Sequence, residues 1–332
     1  MSSLQGKKVL FFAPKFFNYE VAIKEEMEKQ GAEVHLYDER NSPSTIEKFL
    51  MRKAHFLITK KINSYFFKIA LAETSFKPDY ILFVNPEAVT EKSLIYLKKT
   101  FSNAKLILYM WDSLKNKKVK NLLPLFDKKL SFDKDDCTVY SMHFRPLFYT
   151  PQFEANDISV NKNVKYDFAF VGTIHSDRAK ILNQLRKYFD SNNYSYFYYC
   201  YIQSKLILFA RWLMDKNVRE MKQFVHLESI SKKEITDIYN QSEYIIDINH
   251  PKQTGLTMRT IEMIGLKKKF VTTNQHIMEY DFYNEQNQLI KERNSKFLLQ
   301  GNINKNSYID ISTDVYKKYS ISNWISCLFE QM

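Results

Sequence analysis

The chain has 332 residues, a mass of 39.7 kDa and a formal charge of +12, with 45% hydrophobic and 26% charged residues. This composition is that of a globular protein of about two domains, and it excludes a mainly disordered, collagen-like or coiled-coil protein. The three cysteines, Cys137, Cys200 and Cys327, form no C-x-x-C pair, so neither a zinc knuckle nor a disulfide framework is expected.

The first residues, MSSLQGKKVLFFAP, contain an apolar run that is too short for the core of a signal peptide. No stretch approaches the ~18 uninterrupted apolar residues of a membrane-spanning helix. We therefore expect a cytoplasmic protein, or one that is peripheral on the inner face of the cell membrane. The positive charge has two explanations. It either forms a surface that attracts phosphates or anionic lipid, or reflects a lysine-rich composition, since only 9 of the 49 basic residues are arginines.

The first half of the chain alternates apolar strands with helical patterns. Helices are predicted over 18–30, which Gly31 ends, over 44–75, and from the N-cap Thr90 to Phe101. Strands are predicted at 7–14, 33–39, 80–85, 105–112, 128–133 and 142–149. Short apolar strands that alternate with helices indicate a mostly parallel sheet covered on both faces.

A polar segment without apolar periodicity, 152–165, is predicted to be an interdomain linker. The alternation then restarts. Strands are predicted at 166–173, 194–202, 226–229, 244–250 and 268–274. Helices are predicted at 177–189, 204–224, 231–241, 256–265 and 313–329, the third of these opened by a capping box of Ser231 and Glu234. The expected fold class is α/β, with two Rossmann-like doubly wound domains facing a cleft.

The first chemical motif runs from Phe168 to Arg178, where a strand enters a glycine-containing turn and then a helix. Gly172, followed by Thr173, lets a ligand approach the backbone closely. His175 and Arg178 stand beside a helix N-terminus, where the dipole and the N–H groups favour an anion. Alternatively, Gly172 only makes a turn and Arg178 is a solvated helix residue.

The second motif follows the strand that ends at His250. A polar loop contains Lys252, and three residues of this loop are predicted to present backbone N–H groups to a diphosphate: Thr254, Gly255 and Leu256.

The helix after this loop carries Thr257 and Arg259 in its first turn, and Glu262 three residues later on the same face. Arg259 can bind phosphate oxygens bidentately. Glu262 can accept hydrogen bonds from both ribose hydroxyls of a nucleotide. The alternative is a simple Arg259–Glu262 ion pair, but loop, threonine, arginine and glutamate all fit one phosphate–ribose ligand, which favours a nucleotide site.

Two common nucleotide motifs are missing. The sequence contains neither the G-x-x-x-x-G-K-[ST] loop of P-loop ATPases nor the G-x-G-x-x-G of NAD-dependent dehydrogenases. These absences weigh against both enzyme classes, whereas a site for a sugar nucleotide requires neither motif.

Asp112 ends the fourth predicted strand, and a carboxylate there could deprotonate a substrate hydroxyl as a general base. With equal weight, Asp112 or Ser113 caps the helix that follows. The D-x-D of Asp133 and Asp135 is typical of divalent-cation sites in some transferases, but its place suits a first helical turn. We therefore expect no metal site and no cofactor.

Two segments are candidates for contact with an anionic membrane. Residues 48–68 interleave lysines with aromatics, and residues 204–214 are unusually apolar. For 204–214 the preferred interpretation is a helix of the domain core. Nucleic acid is not an expected partner, because no recognition module is present.

The stretches KVLFFAPKFFNYE, YMWDSLKN, DFAFVGTIHSDR and HPKQTGLTMRTIE resemble bacterial glycosyltransferases of the GT-B architecture, those of capsular or exopolysaccharide biosynthesis and of the spore-maturation type. The resemblance spans nearly the whole chain. It implies an acceptor-binding domain over 1–152, a linker over 153–165, a nucleotide-sugar domain over 166–312, and a C-terminal helix, 313–332, that crosses back to the first domain.

The same resemblance places six residues at donor-site positions: Gly172, Arg178, Thr254, Gly255, Arg259 and Glu262. The paired glutamates of many retaining members are not evident, because Thr254 and Gly255 stand seven or eight residues before Glu262. A retaining or an inverting outcome therefore remains open.

Three functions follow from these features. The first is transfer of a sugar from a nucleoside diphosphate sugar donor to a hydroxyl of a polysaccharide or lipid-linked acceptor in surface-glycan synthesis. The second is epimerisation of a sugar nucleotide on the same fold, and the third is a non-catalytic nucleotide- or glycan-binding module.

Overall fold

The computed structural model describes residues 4–40, 57–117, 119–155, 164–251, 253–293 and 307–330. The chain divides into two compact units. The first comprises Met1–Leu147 together with Ile321–Met332, and the second comprises Phe148–Ser320.

The first unit contains a six-stranded parallel sheet with the strand order β2-β1-β3-β4-β5-β6. Its strands are β1 Lys8–Ala13, β2 Glu33–Asp38, β3 Tyr80–Val84, β4 Lys105–Met110, β5 Lys128–Ser131 and β6 His143–Phe144. Its helices before β6 are α1 Tyr19–Lys29, α2 Thr59–Ala72, α3 Glu91–Thr100 and α4 Lys134–Tyr140. The strand order reverses between β1 and β3, so loops diverge there at the carboxyl edge of the sheet and leave room for a ligand.

The sequence explains these elements locally. Strands β1 and β4 are buried along almost their whole length, as continuous apolar strands of a sheet covered on both faces must be. Thr90 caps α3 as predicted, since its hydroxyl accepts from the amide of Ser93 at 3.0 Å. Helix α2 belongs to the core through Ile62 and Phe66, whereas residues 44–56 of the predicted 44–75 helix lie outside the described part of the chain.

The second unit has its own six-stranded parallel sheet, in the order β12-β11-β10-β7-β8-β9. Its strands are β7 Tyr166–Thr173, β8 Tyr196–Tyr201, β9 Val225–His226, β10 Ser242–Asp247, β11 Lys269–Thr272 and β12 Gln288–Ile290. Its helices are α5 Arg178–Ser191, α6 Lys205–Met214, α7 Lys216–Glu220, α8 Lys232–Asn240, α9 Met258–Gly265 and α10 Thr313–Lys318. This is the strand order of the dinucleotide-binding Rossmann sheet, with its switch point between β7 and β10.

The two sheets confirm the predicted fold class of two Rossmann-like α/β domains, and the capping box of Ser231 and Glu234 opens α8 as predicted. Strand β12 was not predicted, because its three residues give too short a pattern to recognise. The predicted single helix over 204–224 is wrong. Asp215 leaves helical geometry, and its side chain accepts from the amide of Asn217 at 2.9 Å, so a new helix, α7, begins there.

The C-terminal helix, α11 Ile321–Phe329, belongs to the first unit, as predicted. The indole of Trp324 is fully buried and meets the ring of Tyr109 edge to face at 4.7 Å, and Lys128 donates to the carbonyl of Cys327 at 3.0 Å. A single helix over 313–329 is a wrong prediction, because Tyr319 accepts at its carbonyl from the amide of Tyr149, and this backbone pairing separates α10 from α11.

The predicted linker, 153–165, is only partly described. Residues 156–163 lie outside the described ranges. Phe153 is buried in the second unit, and the amide of Ala155 donates to the carbonyl of Gly265 at 2.8 Å, so the start of this segment is packed. In the described part of the chain, no helix is long and apolar enough to cross a membrane.

Candidate functional site

The candidate site lies at the carboxyl edge of the second sheet, where β7 and β10 are hydrogen-bonded neighbours and the strand order reverses. The loops after β7 and β10 begin at Ile174 and Ile248 and lead to helices α5 and α9. Such a switch point is the usual ligand site of an open parallel sheet. Both predicted motifs therefore meet at one edge.

A buried carboxylate organises this edge. Asp247, the last residue of β10, is completely inaccessible to solvent. Its Oδ1 accepts from the hydroxyl of Thr257 at 3.0 Å, and its Oδ2 accepts from that of Thr260 at 2.6 Å. Arg259 Nη1 lies 3.5 Å from Oδ1. A buried charge is costly unless it is paired and hydrogen-bonded, so this set of donors holds the start of α9 against the strand.

Asp247 was not among the predicted site residues. The signal for it is an acidic residue that ends an otherwise apolar strand, IID, and that precedes a threonine-rich turn by ten residues. This signal was not recognised in the sequence, because the partners of Asp247 become its neighbours only in the folded domain.

Arg259 is fixed on three sides. Asp247 pairs with its guanidinium, and the ring of Phe170 lies 5.0 Å from its central carbon, within the range of a cation–π contact. A Cβ atom on Gly172 would lie 2.1 Å from Nη2. Gly172 is therefore needed to make room for Arg259. Its predicted role in letting a ligand approach the backbone stays a prediction.

Arg178 links the ends of the two central strands. Its Nε donates to the carbonyl of Ile248 at 2.8 Å and its Nη1 to the carbonyl of Thr173 at 2.9 Å. Burial, together with the nearby cations Arg259 and Arg293, lowers the pKa of Arg178 to about 9. The alternative that Arg178 is a solvated helix residue is therefore wrong.

Arg293 is a third cation at this edge that the sequence did not reveal. It follows β12, and its Nη1 donates to Asp177 at 2.6 Å while its Nη2 donates to the side-chain oxygen of Asn249 at 2.6 Å. No recognisable motif surrounds it. Only the order of the strands brings the end of β12 to the same edge as β7 and β10.

Two imidazoles complete the cluster, His175 after β7 and His250 after β10, with ring centroids 5.9 Å apart. Burial lowers the pKa of His175 to about 3, helped by the positive charges of Arg178 and Arg259. His175 is therefore neutral near pH 7 and can donate from one ring nitrogen while it accepts at the other.

The predicted amide loop is held from one side. Asn274 Nδ2 donates to the carbonyls of Thr254 at 3.0 Å and of Gly255 at 3.3 Å. Because carbonyl and N–H point in opposite directions across a trans peptide, the amides of Gly255 and Leu256 point away from Asn274. Thr257 then caps α9, since its hydroxyl accepts from the amide of Thr260. Lys252 lies outside the described residues.

Glu262 lies on α9, three residues after Arg259, and is largely buried. It lies close enough to Arg259 and Tyr239 to act on both electrostatically. Its predicted role as the ligand of ribose hydroxyls remains a prediction.

In the first unit, Asp112 follows β4 and is half-exposed. Its Oδ2 accepts from Asn85 Nδ2 at 3.1 Å and pairs with Lys117 Nζ at 3.1 Å, while Lys117 also contacts Glu87. Oδ1 has no hydrogen-bond partner among the described residues. Ser113, and not Asp112, caps the short 3₁₀ turn that follows, so the Asp112 carboxylate remains available for a substrate hydroxyl.

Residues with left-handed backbone conformations lie at the carboxyl edge of the first sheet, where Asp112 also lies. Asn85, after β3, has a φ of 50°, and Phe17 and Asn18, after β1, have φ values of 50° and 60°. Such left-handed conformations are uncommon outside glycine and often occur at ligand sites. The ring of Phe16, which is exposed, lies 5.8 Å from that of Trp111. The sequence analysis did not predict these left-handed conformations.

The loop that carries Glu87 is held by Glu39, which follows β2 and is fully buried. Its carboxyl group accepts from the backbone amides of Glu87 at 3.0 Å, Ala88 at 2.6 Å and Val89 at 2.7 Å. Burial raises the pKa of Glu39 to about 7, although the three amide hydrogen bonds oppose this shift.

The D-x-D sequence has a structural role. Asp133 caps α4 by accepting from the amides of Asp135 at 3.0 Å and of Asp136 at 3.3 Å, and Asp136 accepts from the amide of Leu114 at 2.6 Å. Over the ranges that the structure describes, no group of three or more His, Cys, Asp and Glu residues could hold a metal ion.

No protein-family model matches the chain, and no curated protein matches it by sequence. Solved structures do match. Trehalose-6-phosphate synthase from E. coli bound with UDP-2-fluoro-glucose has a TM-score of 0.62 at 10% identity, over 98% of this chain and 99% of that one. A glycosyltransferase from Rickettsia africae has a TM-score of 0.57 at 14% identity, over 98% and 93%. HepE of Anabaena in complex with UDP-glucose has 0.55 at 12%, over 98% and 95%. The chain therefore has the GT-B fold of these glycosyltransferases.

Glu39 makes the stability of the first unit depend on pH. Its pKa is about 7 when folded and 4.5 in a solvated chain, so the folded state binds the proton more tightly between these values. The free energy of unfolding should fall as the pH rises from 4.5 to about 7, by up to about 3 kcal/mol. Urea unfolding of the wild type and of Glu39→Gln across this window measures the effect, and the difference between the two curves isolates Glu39 from other titrating groups. A difference that does not change with pH would contradict the assignment.

Replacement of Gly172 by alanine should act through Arg259. The new methyl group displaces the guanidinium, and we expect Gly172→Ala to cost about 1–3 kcal/mol of stability, as overpacking does. The same substitution in an Arg259→Ala background should cost much less. Chemical denaturation of the four proteins gives the coupling energy. An equal cost in both backgrounds would show that Gly172 serves some other purpose.

Proposed function

We propose that the protein is a glycosyltransferase that moves a sugar from a nucleoside diphosphate sugar to a hydroxyl of a polysaccharide or lipid-linked acceptor in surface-glycan synthesis. The observation that carries this proposal is the convergence of Arg178, Arg259 and Arg293 at the switch point of the second sheet. The nucleotide complexes among the structural neighbours, with UDP-glucose and UDP-2-fluoro-glucose, support a uridine nucleotide donor.

The three arginines at this edge differ in their partners. Asp247 and Asp177 pair with Arg259 and Arg293, while Arg178 is bound only by backbone carbonyls in its described hydrogen bonds. A diphosphate would supply the negative charge that this arrangement favours. The amides of Gly255 and Leu256 and the neutral ring of His175 offer further donors to its oxygens.

The same residues can promote the reaction. When the bond between the sugar and the donor phosphate breaks, negative charge grows on the leaving diphosphate, and Arg259, already fixed by Asp247 and Phe170, is positioned to stabilise it without reorganisation. The proposal assigns this task to protein cations, with no metal ion required. In the first unit, Asp112 Oδ1 is the candidate general base for the acceptor hydroxyl.

Nucleotide binding tests the donor site. We expect Arg259→Ala to weaken UDP binding by about tenfold to a hundredfold, because a hydrogen bond to a charged group contributes about 1.5–3 kcal/mol. Glu262→Ala should weaken the binding of UDP more than that of inorganic diphosphate if Glu262 binds the ribose. Isothermal titration calorimetry measures both.

The matched control for this experiment is Arg186→Ala. Arg186 lies on α5 and pairs with Asp190 at the surface, away from the switch point, so its loss should leave the affinity unchanged. Circular dichroism checks that each variant is folded. Unchanged UDP affinity in both Arg259→Ala and Glu262→Ala would refute the donor-site assignment.

Product analysis separates the transferase from the two other functions. A transferase incubated with a UDP-sugar alone should release at most a little free sugar by hydrolysis, and should consume the donor faster when a synthetic acceptor is added. Chromatography of the products would instead show an isomeric sugar nucleotide if the protein were an epimerase. Tight UDP-sugar binding without turnover on any acceptor would indicate a binding module.

A further inference from the structure

Helix α6, Lys205–Met214, presents its apolar side chains to solvent. None of its residues is buried, and three of them are more than half exposed on one face, Leu206 at 83%, Phe209 at 61% and Leu213 at 55%. Their spacing of three and four residues places them one above the other along the helix. The preferred prediction of a domain-core helix for residues 204–214 is therefore wrong.

Only a small part of α6 contacts the core of the second unit. Leu208 is the residue of α6 that packs, partly buried, against the core of the second unit, and Arg211 one turn later is half-buried. Surface helices of globular proteins normally show the reverse pattern, with the apolar stripe inside and polar residues outside. The exposed apolar set also includes Ile207, Trp212 and Met214. A contiguous exposed apolar surface of this kind marks an interaction site.

The helix is held in place at both ends. At its start, Ser204 caps it by accepting from the amide of Ile207. At its end, Arg219 Nη1 donates to the carbonyls of Trp212 at 2.7 Å and of Leu213 at 3.0 Å. These bonds satisfy carbonyls that a helix C-terminus otherwise leaves unpaired, so α6 is a preorganised element of the fold.

The charge around α6 is positive. Lys205, Arg211 and Lys222 have no ion-pair partner among the described residues. The two neighbouring acids are already engaged, since Asp215 caps α7 and Glu220 pairs with Lys187 at 3.0 Å and with Lys216 at 3.6 Å. The two exposed cations, Lys205 and Lys222, are therefore available to a negatively charged partner.

We propose that α6 docks the protein onto a membrane surface that contains anionic lipids, with its apolar face inserted at the level of the headgroups and the exposed Lys205 and Lys222 beside the phosphates. A helix of ten residues is too short to span a bilayer but suits a position in the plane of the interface. Trp212 and Phe209 are side chains that favour this boundary.

Charge favours a membrane over a second copy of the chain as the occupant. In a symmetric dimer the same patch would face itself, so the unpaired cations of the two copies would repel one another. An anionic bilayer attracts each such cation by about 1 kcal/mol at low salt. Of residues 48–68, the other segment predicted to touch a membrane, only 57–68 lie in the described part of the chain, and Ile62 and Phe66 there belong to the core. The prediction for that segment stays a prediction, and the proposal here concerns α6 alone.

The position of α6 has a consequence for the donor site. Arg211 is close enough to His175 to be among the cations that lower its pKa. If the proposed function holds, docking through α6 would bring the sugar donor to the membrane surface, where a lipid-linked acceptor resides. The docking itself depends only on α6 and its charges, so it can be tested without measuring transfer.

Vesicle co-sedimentation of the full chain tests the docking. We expect binding to phosphatidylcholine vesicles that contain phosphatidylglycerol, weaker binding at high salt, and little binding to phosphatidylcholine alone. The triple variant Leu206→Ser, Phe209→Ser, Leu213→Ser should bind about a hundredfold more weakly, because three apolar side chains no longer leave water. These residues are exposed, so the variant should melt at the same temperature as the wild type.

The matched control is a triple variant of equally exposed apolar residues on other helices, Leu71→Ser, Ile95→Ser, Val139→Ser, which should bind like the wild type. Brominated lipid should quench the tryptophan fluorescence of the Trp111→Phe variant, because this variant keeps Trp212 at the membrane. The fluorescence of the Trp212→Phe variant should be quenched only weakly. Equal binding by both triple variants would overturn the proposal. The absence of binding to anionic vesicles at low salt would also overturn it. In that case analytical ultracentrifugation would test whether the face joins two copies of the chain, as a dimer that the α6 variant dissociates. Calorimetry with UDP on the α6 variant separates this outcome from a failure of the proposed donor site.

Discussion

The candidate donor site depends on one buried carboxylate. Asp247 is shielded from water at the end of β10, and the cost of burying its charge is offset only because Thr257, Thr260 and Arg259 all converge on it. Those contacts fix the first turn of α9 to the strand, which positions both the threonine cap and the guanidinium. Arg259 in turn occupies the space above Gly172, so the two motifs that are far apart in the sequence become one arrangement.

Around this carboxylate the second unit gathers three arginines, Arg178, Arg259 and Arg293. Arg178 is bound by strand carbonyls and has a lowered pKa, and His175 is kept neutral by burial and by the same cations. Several fixed cations at one edge suit an anion, as the proposed diphosphate site requires. The first unit shows a different chemistry at its own switch point, with a half-exposed carboxylate at Asp112 and strained backbone at Asn85.

Helix α6 illustrates how an apolar pattern can mislead. Its composition is that of a core helix, yet only Leu208 packs against the core while its most apolar face meets solvent. Periodicity reports that a helix has an apolar face but not which surface covers it. The anionic membrane surface proposed as its partner is inferred from the unpaired cations around this face.

The sequence by itself determined the alternation of strands and helices, the two parallel sheets, the caps at Thr90 and Ser231, and the gathering of the two motifs at strand ends. These features follow from local patterns, because apolar period, capping side chains and glycine positions act over a few residues. The roles of Asp247 and Arg293, the space that Gly172 leaves for Arg259, and the exposure of α6 became evident only in the folded chain. Each of these depends on residues that are distant in the chain and become neighbours through the order of the strands, which no local pattern encodes.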